Sequence, residues 1–418
     1  MPNNLNIKGT RFIEHKTDFE NDCGYKYDYI PHILNPTSRT IAIGDIHGDL
    51  DVAIKMLEVG KCIRKISYCV GLDNLNYVII KNKNNKDEYY FWIGQDTQVV
   101  QVGDQIDRCR YFGSEECIYP EVTQHDEASD IKILKFYTDI NSIAKLCNGR
   151  VISLLGNHEL MNVLGKMNYV SFMGIMEFRF DNMVDLSNIE YNINDINIGL
   201  QNRINAFSNK PNIKNRKEPL NEFLGCSRTS SIIIGDLLFV HGGMIKQMAE
   251  AYNLDDLNKI VRKWLLGKLK DEINSNQLLY TNNERNKNFQ QNNKINFNFK
   301  NRIHQILSSK YSIFWNRLLG NLPPDIQSNI PQNINQCNEY LDDVFKIHNI
   351  NGIIIGHTPQ MSDKYGINSA CNKRVWRVDI GASSAFDKFR TTKKKIEVLE
   401  IKYTIDNSPI FKILTMDY

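Results

Sequence analysis

The sequence predicts an α/β domain, and two patterns support that fold class. Five short apolar, β-rich runs end in glycine together with Asp, Asn or His. They are TIAIGDIHG (40–48), TQVVQVGDQIDR (97–108), RVISLLGNHE (150–159), DLLFVHGG (236–243) and NGIIIGHTP (351–359). Segments whose apolar residues recur at helical spacing lie between these runs. Strands of α/β folds deliver polar side chains to one sheet edge, so a functional site is expected there.

The elements between these runs follow from local patterns. Residues 76–94, NYVIIKNKNNKDEYYFWIG, predict a β-hairpin across an Asn/Lys turn, inserted near 70–95. Residues 130–147 and the segment that starts at Leu254 have the apolar spacing of helices. The tail, 393–416, has the composition of closing strands.

The domain organisation predicted is one large domain, 39–418, preceded by an N-terminal extension, 1–38. Two Asn-rich and weakly periodic stretches interrupt the domain, near 185–217 and 271–300. Their composition is poor in core-forming residues, so both are predicted to be surface insertions.

Composition limits the classes of protein that the chain can be. It has 418 residues and a net charge of +3, which gives no strong field for nucleic acid or an anionic membrane. Nine scattered cysteines without a Cys-x-x-Cys pair predict free thiols in a reducing compartment. The polar first residues lack the apolar core of a secretory signal, and no apolar run reaches membrane length. These features predict a cytoplasmic protein without nucleic-acid or membrane partners.

The polar ends of the five runs contain the residue types of a metal site. Asp45 and His47 alternate along one extended segment, so both can face the same ion. Asp104 adds a carboxylate that can bridge two ions. The ligands that complete a second site are Asn157, His241 and His357. Such mixed nitrogen and oxygen sets suit Mn²⁺, Fe or Zn²⁺ rather than Ca²⁺.

One of these fragments has a second interpretation. LLGNHEL (154–160) is also consistent with a strand-to-helix turn, in which Asn157 caps a short helix that begins near His158. Each fragment alone is more often a turn or a structural polar pair than a ligand set. Five fragments in this order, each at the end of an apolar run, favour the metal site.

The order of these motifs resembles the signature of a known family. GDIHGD, GDQIDR, LLGNHE, HGG and GHT are similar to the motifs of the phosphoprotein phosphatases, a family of calcineurin-like metallophosphoesterases. LLGNHELMN, the element Trp315-Asn316-Arg317 and the GHTP ending are most similar to its bacterial-like, Shewanella-type branch. The resemblance runs from about Thr40 to Phe389, outside the insertions. It implies a β-sandwich of two mixed sheets flanked by helices, in four α/β/β/α layers.

The resemblance also implies a reaction and the residues that carry it. The implied metal ligands are Asp45, His47 and Asp104 for one ion, and Asp104, Asn157, His241 and His357 for the other. The ions are two divalent or mixed-valence transition metals, with Mn²⁺ expected in vitro and Fe or Zn as alternatives. On this resemblance, a hydroxide between the two ions would attack phosphorus in line. His158 is the implied general acid, oriented by Asp107.

Phosphate binding is implied for further polar residues. Arg108 can bind two phosphate oxygens with its planar guanidinium, and Asn157 is also an implied phosphate-binding residue. Arg317 is the predicted second arginine, with Arg228 and Arg377 as alternatives. Cys109 replaces the glycine that usually follows the Asp-Arg pair, which predicts an altered or oxidisable loop.

Three functions follow from these residues. The first is a phosphoric monoester hydrolase of the serine/threonine protein phosphatase type, with phosphotyrosine also considered and a phosphorylated protein or peptide as its partner. The second is hydrolysis of dinucleoside polyphosphates or a nucleotide pyrophosphate, whose enzymes usually have Asn where this chain has Asp107. The third is a catalytically silent, metal-free binding module. The Ser-Ala-Pro-Asn-Tyr-type loop of eukaryotic members is absent, so no regulatory subunit is predicted.

Overall fold

A computed structural model describes most of the chain. The described residues are 3–66, 76–82, 86–180, 191–211, 213, 219–269, 299–325, 334–361, 366–391, 393–404 and 408–417. Within these ranges, no helix combines the length and the apolar character needed to cross a lipid bilayer.

Helices and strands alternate along the described ranges. The helices are α1 (Asn3–Cys23), α2 (Leu50–Val59), α3 (Asp130–Lys145), α4 (Asn157–Val163), α5 (Phe172–Met176), α6 (Ile193–Phe207), α7 (Leu220–Ser227), α8 (Lys246–Ala251), α9 (Leu254–Leu265), α10 (Phe299–Leu307) and α11 (Ile334–His348). The strands are β1 (Ile33–Leu34), β2 (Thr40–Ile43), β3 (Ile63–Ile66), β4 (Val78–Lys81), β5 (Asp87–Trp92), β6 (Gln98–Gln101), β7 (Arg150–Ser153), β8 (Ser231–Ile234), β9 (Leu237–Val240), β10 (Gly352–Ile355), β11 (Asn368–Ala370), β12 (Val375–Arg377), β13 (Lys395–Tyr403) and β14 (Pro409–Asp417).

Two mixed sheets form the centre of the fold. One has the strand order β1-β8-β9-β10-β12-β11 and the other the order β14-β13-β2-β6-β7. Every residue of β2, β6, β9 and β10 is buried, as expected for short apolar strands covered on both faces. Side chains from both sheets share one apolar core cluster, which includes Ile41, Val99, Phe239 and Ile354. The predicted α/β class, with two mixed sheets flanked by helices, is confirmed.

The parallel strands set the position of the polar clusters. Val100 of β6 pairs with Ala42 of β2 and with Ile152 of β7, so these three strands end at one edge. In the other sheet, β10 runs parallel to β9, with Ile353 opposite Leu238. The five runs therefore deliver their polar ends to neighbouring sheet edges, as the sequence predicts.

Several smaller predictions are confirmed. The predicted hairpin consists of β4 and β5, and β3 extends it to a three-stranded antiparallel sheet. The helices predicted at 130–147 and from Leu254 are α3 and α9, and the tail forms the antiparallel pair β13 and β14.

The first Asn-rich stretch differs from its prediction. Of residues 185–217, those from 193 to 207 form α6, whose Arg203 and Phe207 are fully buried. One face of this helix is therefore buried, whereas residues such as Asn194 and Gln201 remain exposed. Asn192 caps α6 by accepting from the backbone N–H groups of Asn194 and Asp195, which explains why an Asn-rich segment is helical. The second stretch, 271–300, lies almost wholly outside the described residues.

The N-terminal extension is attached to the domain by ion pairs and by the pairing of a strand. Arg262 of α9 forms ion pairs with Asp18 and Asp22 of α1, at 2.5 and 3.2 Å. β1 pairs in parallel with β8 at the edge of the larger sheet. Residues 18–34 therefore pack as part of the fold.

The cysteines differ most from their prediction. Disulfides join Cys23 to Cys226, Cys109 to Cys117 and Cys337 to Cys371, whereas Cys62 and Cys147 are free thiols. Free thiols were the expected state, and for these six cysteines that prediction is wrong. The paired cysteines are 203, 8 and 34 residues apart in the sequence, and none of these separations is a recognised disulfide motif. Because disulfides persist in oxidising compartments, the cysteines give no support to a reducing one.

We expect Cys23→Ser to lower the free energy of unfolding by about 2–5 kcal/mol in non-reducing buffer. The Cys23–Cys226 disulfide closes the longest loop of the three and ties α1 to the end of α7. Denaturant unfolding curves of wild type and variant give the difference. Cys147→Ser removes an exposed free thiol and is the matched control. Equal stabilities of Cys23→Ser and wild type without reductant would contradict the prediction.

Candidate functional site

The predicted ligands sit where buried strands end. They are Asp45 and His47 after β2, Asp104 after β6, Asn157 at the start of α4 after β7, His241 after β9, and His357 after β10. All six are buried, with at most 4% of each residue exposed. The structure therefore brings together the ligand set that the motifs predict.

The backbone around these residues has unusual conformations. His47, Asp104 and His357 have φ angles of 48°, 54° and 65°, a region that side chains other than glycine seldom occupy. Two glycines make room for the carboxylates: a Cβ atom on Gly156 would overlap Asp104 Oδ1, and one on Gly356 would overlap Asp45 Oδ1. Such constraints concentrate at functional sites, where the surrounding fold holds them in place.

Two groups of side chains converge on Asp104. Its Oδ2 lies 3.3 Å from His241 Nε2 and 3.9 Å from both His47 Nε2 and His158 Nε2. One group able to hold a metal ion consists of His47, Asp104 and His158, and the other of Asp104, His241 and His357. Asp104 belongs to both groups, so its carboxylate lies where the two groups meet.

Unsatisfied atoms show that the site fits metal ions. Asp45 Oδ1 and His357 Nε2 are buried without a hydrogen-bond partner. A buried polar atom without a partner destabilises the fold unless a ligand satisfies it. His241 Nε2 contacts Asn157 Oδ1 at 3.0 Å, while its Nδ1 lies 2.9 Å from the Val102 carbonyl oxygen. A histidine whose other ring nitrogen contacts a carbonyl is typical of metal ligands.

The charges of the site are unbalanced without ions. Burial, together with the carboxylates of Asp379 and Asp104, raises the pKa of Asp45 well above its ordinary value. Burial also acts to raise the pKa of Asp104, but His241 and His158 outweigh it and hold that pKa well below the usual range. The pKa of His357 is lowered by burial, by His241 and by Arg317. Cations would relieve the repulsion among the carboxylates.

His158 and Asp107 form a hydrogen-bonded pair beside this cluster. His158 Nδ1 lies 2.9 Å from Asp107 Oδ2, so its Nε2 faces Asp104. The helix α4 begins at Asn157, one residue earlier than the alternative interpretation expected, and Gly156 is its N-cap. His158 N donates to Asp104 Oδ1, which links the helix to the shared carboxylate.

Glu159 holds the loops that carry the ligands. Its carboxylate accepts hydrogen bonds from the backbone N–H groups of Asp104, Gln105 and Gly156, at 3.0, 2.8 and 2.7 Å. A carboxylate with three backbone donors ties the end of β6 to the start of α4. The relative positions of Asp104 and His158 therefore depend on it.

The predicted phosphate arginines lie in different surroundings. Arg108 Nη1 donates to the Gly48 carbonyl and to Glu127 Oε1, at 3.0 and 2.6 Å. Arg317 is exposed. After burial and His241, its charge is a further cause of the lowered pKa of His357, so Arg317 lies near the site. The alternatives Arg228 and Arg377 are buried and donate to carbonyl oxygens, respectively of Leu134 and of Gly320.

Two acidic or basic residues near the site were not predicted. Asp379 lies after β12, close enough to Asp45 to raise its pKa, and its Oδ2 has no hydrogen-bond partner. Its run, VWRVDIG, has the same form as the five motif runs, so that signal was present. Arg203 of α6 donates to Asp107 Oδ1 at 3.0 Å and to Asp130 Oδ2 at 2.8 Å. Nothing in its Asn-rich surroundings marks it.

A buried carboxyl behind this network predicts a pH dependence of stability. Burial, followed by the charge of Asp130, raises the pKa of Glu177 to about 8, and its Oε2 has no partner. A carboxyl with a raised pKa binds its proton more tightly in the folded state. The stability that this proton binding contributes to the folded state is complete below the ordinary pKa of a glutamate. It is lost as the pH rises towards 8.

We compare the free energy of unfolding of Glu177→Gln with that of wild type at two pH values. We expect this difference to favour the variant by about 2–4 kcal/mol more at pH 8 than at pH 5. Glutamine keeps an acceptor for the N–H of Ile131, which Glu177 binds, but carries no charge at pH 8. Urea unfolding at both pH values measures the difference. Glu116→Gln, at an exposed residue, is the control. A difference that does not change with pH would contradict the prediction.

Comparisons with known proteins identify the family. The model of the calcineurin-like phosphoesterases matches residues 38–361. An uncharacterised protein of Acanthamoeba polyphaga mimivirus is 30% identical over 296 residues, which cover 67% of this chain and 98% of the relative. Shewanella-like protein phosphatase 2 of Arabidopsis thaliana is 27% identical, over 55% of this chain and 52% of the relative.

A solved structure shows the same fold. The cold-active protein tyrosine phosphatase of a psychrophilic Shewanella species has a TM-score of 0.51 and 18% identity, over 92% of this chain and 82% of that chain. Together these matches confirm the resemblance to the Shewanella-type branch that the motifs indicate. Because the family model spans most of the sequence, the chain belongs to the calcineurin-like phosphoesterase family.

Proposed function

We propose that this phosphoesterase is a metal-dependent protein phosphatase that removes phosphate from phosphoserine or phosphothreonine, and we include phosphotyrosine in its test. The His158–Asp107 pair, which faces the shared carboxylate of Asp104, carries the proposal. A general acid held beside a carboxylate that two candidate ions would share suits hydrolysis of a phosphomonoester.

Two ions would be held by the residues already described. As the motifs imply, Asp45, His47 and Asp104 would bind one ion, and Asp104, Asn157, His241 and His357 the other. Of these residues, His47, Asp104, His241 and His357 also belong to the two geometric groups. When bound, such ions supply an activated water at neutral pH and neutralise phosphoryl charge. Their donors are imidazole, carboxylate and amide groups, which suit Mn²⁺, Fe or Zn²⁺, and we propose Mn²⁺ for assays in vitro.

His158 would protonate the leaving oxygen of the substrate. Asp107 accepts from Nδ1 at 2.9 Å, which fixes the ring and leaves Nε2 as the atom that faces the site. Tyr169 packs against the same ring, with 5.1 Å between ring centroids. The imidazole therefore has one orientation, which favours proton donation from Nε2.

The relatives support a protein substrate without deciding the phosphorylated residue. Two curated relatives are Shewanella-like protein phosphatases, and a solved relative is a protein tyrosine phosphatase. Asp107 favours a phosphatase over the nucleotide hydrolases, which usually have Asn there. A phosphorylated protein or peptide is the proposed partner.

A substrate panel tests this proposal. Protein loaded with Mn²⁺ is assayed on matched phosphoserine, phosphothreonine and phosphotyrosine peptides and on diadenosine tetraphosphate. Asp104→Asn is the blank, because it keeps the shape of the side chain but removes the carboxylate that both ligand groups share. Peptide hydrolysis that disappears in the variant is the expected result. Turnover of the dinucleotide alone would replace the proposal with nucleotide hydrolysis, and no turnover at all would favour a binding role.

A further inference from the structure

Asp379 follows a further apolar run at the sheet edge where the candidate ligands lie. Arg377, at the end of β12, pairs with Ile355, at the end of the parallel strand β10. Asp379 and His357 each lie two residues beyond this pair, and the N–H of Val378 still donates to the carbonyl oxygen of Ile355. The register of two neighbouring strands therefore places Asp379 beside a candidate ligand.

The backbone of Asp379 also approaches the loop that carries Asp45. A Cβ atom on Gly44, the residue before Asp45, would overlap the carbonyl group of Val378 and would lie 3.0 Å from the Cα atom of Asp379. Only a glycine leaves room for so close an approach. Asp45 and Asp379 are both buried, with 2% and 1% of each residue exposed. The two acidic residues therefore belong to one buried part of the site.

The two carboxylates are held in the same way. Asp45 Oδ2 accepts from the N–H of His357 at 3.0 Å, and Asp379 Oδ1 accepts from the N–H of Gly381 at 2.9 Å. The other oxygens, Asp45 Oδ1 and Asp379 Oδ2, are buried without a hydrogen-bond partner among the described residues. Each carboxylate therefore has one oxygen anchored to the backbone and one that is left for a group from outside the chain.

The negative charge of Asp379 is unfavourable without such a group. Burial, with a smaller contribution from Asp104, raises the pKa of Asp379 to about 6, although its backbone hydrogen bond, His241 and Arg110 act to lower it. Burial, followed by the charge of Asp379, raises the pKa of Asp45 in turn. Buried carboxylates that repel one another need a cation near them.

We propose that Asp379 stabilises the first ion, the one that Asp45, His47 and Asp104 would hold, from outside its ligand set. Those three residues would remain the ligands, and Asp379 Oδ2 would supply further negative charge behind them. Acidic partners behind the ligands raise the affinity of a site for its ion, and their loss usually costs about 10- to 100-fold. The inference deepens the proposed function and rests on the two ions proposed there.

Equilibrium binding of Mn²⁺ to the metal-free protein tests this role. Calorimetric titrations compare wild type with Asp379→Asn, which keeps an acceptor for the N–H of Gly381 but carries no charge. We expect both proteins to bind two ions, and the affinity for one of them to fall by about 10- to 100-fold in the variant. Asp325 also accepts from backbone N–H groups, those of Asn372 and Lys373 before β12, so Asp325→Asn is the matched control and should bind both ions as wild type does.

The stability of the metal-free protein separates this role from a structural one. Without ions, the charge of Asp379 repels Asp45 and Asp104, so Asp379→Asn should unfold at the same denaturant concentration as wild type or at a higher one. With saturating Mn²⁺ the order should reverse, because wild type binds the ions more tightly and gains more stability from them. A residue that only held the turn at Gly381 would affect both forms alike.

A variant of the other ligand set identifies the ion that Asp379 supports. His241→Ala removes a proposed ligand of the second ion but none of the first. The loss of affinity caused by Asp379→Asn should therefore persist in the His241→Ala background. A loss that disappears there would assign Asp379 to the second ion and overturn the inference.

Three further results would overturn it. The first is an Asp379→Asn protein that binds both Mn²⁺ ions as tightly as wild type, and the second is an equal loss of stability with and without Mn²⁺. The third is a different visible absorption spectrum of the Co²⁺-loaded variant, because that would make Asp379 a ligand. If Asp379→Asn does not fold, Asp379→Ser decides, and wild-type affinity in it overturns the inference.

Metal binding and hydrolysis fail separately in these experiments. If wild type binds two Mn²⁺ ions but hydrolyses no phosphopeptide, the phosphatase proposal fails, and the titrations still measure the part of Asp379. If wild type hydrolyses phosphopeptides and Asp379→Asn binds Mn²⁺ normally, only the role of Asp379 fails. A wild-type protein that binds no Mn²⁺ would overturn the two proposed ions and this inference together.

Discussion

His158→Asn is expected to lower kcat for a phosphoserine peptide by about 10²- to 10⁴-fold, the usual contribution of a general acid. The alkoxide of serine is a strong base, so its departure depends on a proton. His158 Nε2 faces the metal-ligand groups, while Asp107 holds Nδ1 at 2.9 Å. The KM and the bound metal should change little, because His158 is absent from the proposed ligand sets.

The leaving group distinguishes proton donation from a structural role. p-Nitrophenolate leaves without a proton, so His158→Asn should reduce hydrolysis of p-nitrophenyl phosphate much less than hydrolysis of the peptide. His304→Asn, at an exposed histidine of α10, is the control and should hydrolyse both substrates at wild-type rates. Equal losses on both substrates would show that His158 does not act as an acid. Manganese lost from the variant would instead assign it to the ligands, where one of the two geometric groups includes it.

The strand framework and the cluster of candidate ligands could be predicted because each depends on local sequence patterns. A buried parallel strand is an apolar run, and a glycine with Asp, Asn or His at its end marks the place where the chain turns towards a ligand. Parallel pairing then brings distant runs to one edge, as for Ala42 and Val100. Asp379 could have been included by the same rule, since its run ends in the same way.

Other features depend on long-range contacts that no local pattern reveals. Arg203 meets Asp107 across 96 residues, and Cys23 meets Cys226 across 203. The composition around Arg203 indicates surface, because asparagine is seldom buried, yet a capped helix turns one face of α6 inward. The orientation of Arg108 likewise depends on a partner elsewhere in the chain, Glu127.

Arg203→Met is expected to destabilise the protein by about 3–5 kcal/mol, the usual cost of removing one partner from a buried ion pair. Arg203 is fully buried and bonds four groups: Asp107, Asp130, the Asn162 side chain and the Gly174 carbonyl. Methionine fills much of the volume but leaves two carboxylates without their cation. Denaturant unfolding measures the loss, and Gln201→Ala, at an exposed position of the same helix, should change stability by no more than about 0.5 kcal/mol.

A double-mutant cycle shows whether charge or packing causes this loss. Asp130 lies 2.8 Å from Arg203 and carries a raised pKa, chiefly because it is buried. If the uncompensated carboxylates destabilise Arg203→Met, then Asp130→Asn in that background should restore part of the stability, although alone it destabilises. Additive losses would instead assign the effect to packing against Phe178 and Phe207, whose rings lie 5.1 and 5.2 Å from the guanidinium carbon.

Since Arg203 also binds the carboxylate that orients His158, Arg203→Met should lower kcat even where it remains folded, and Arg203→Lys should lower it less.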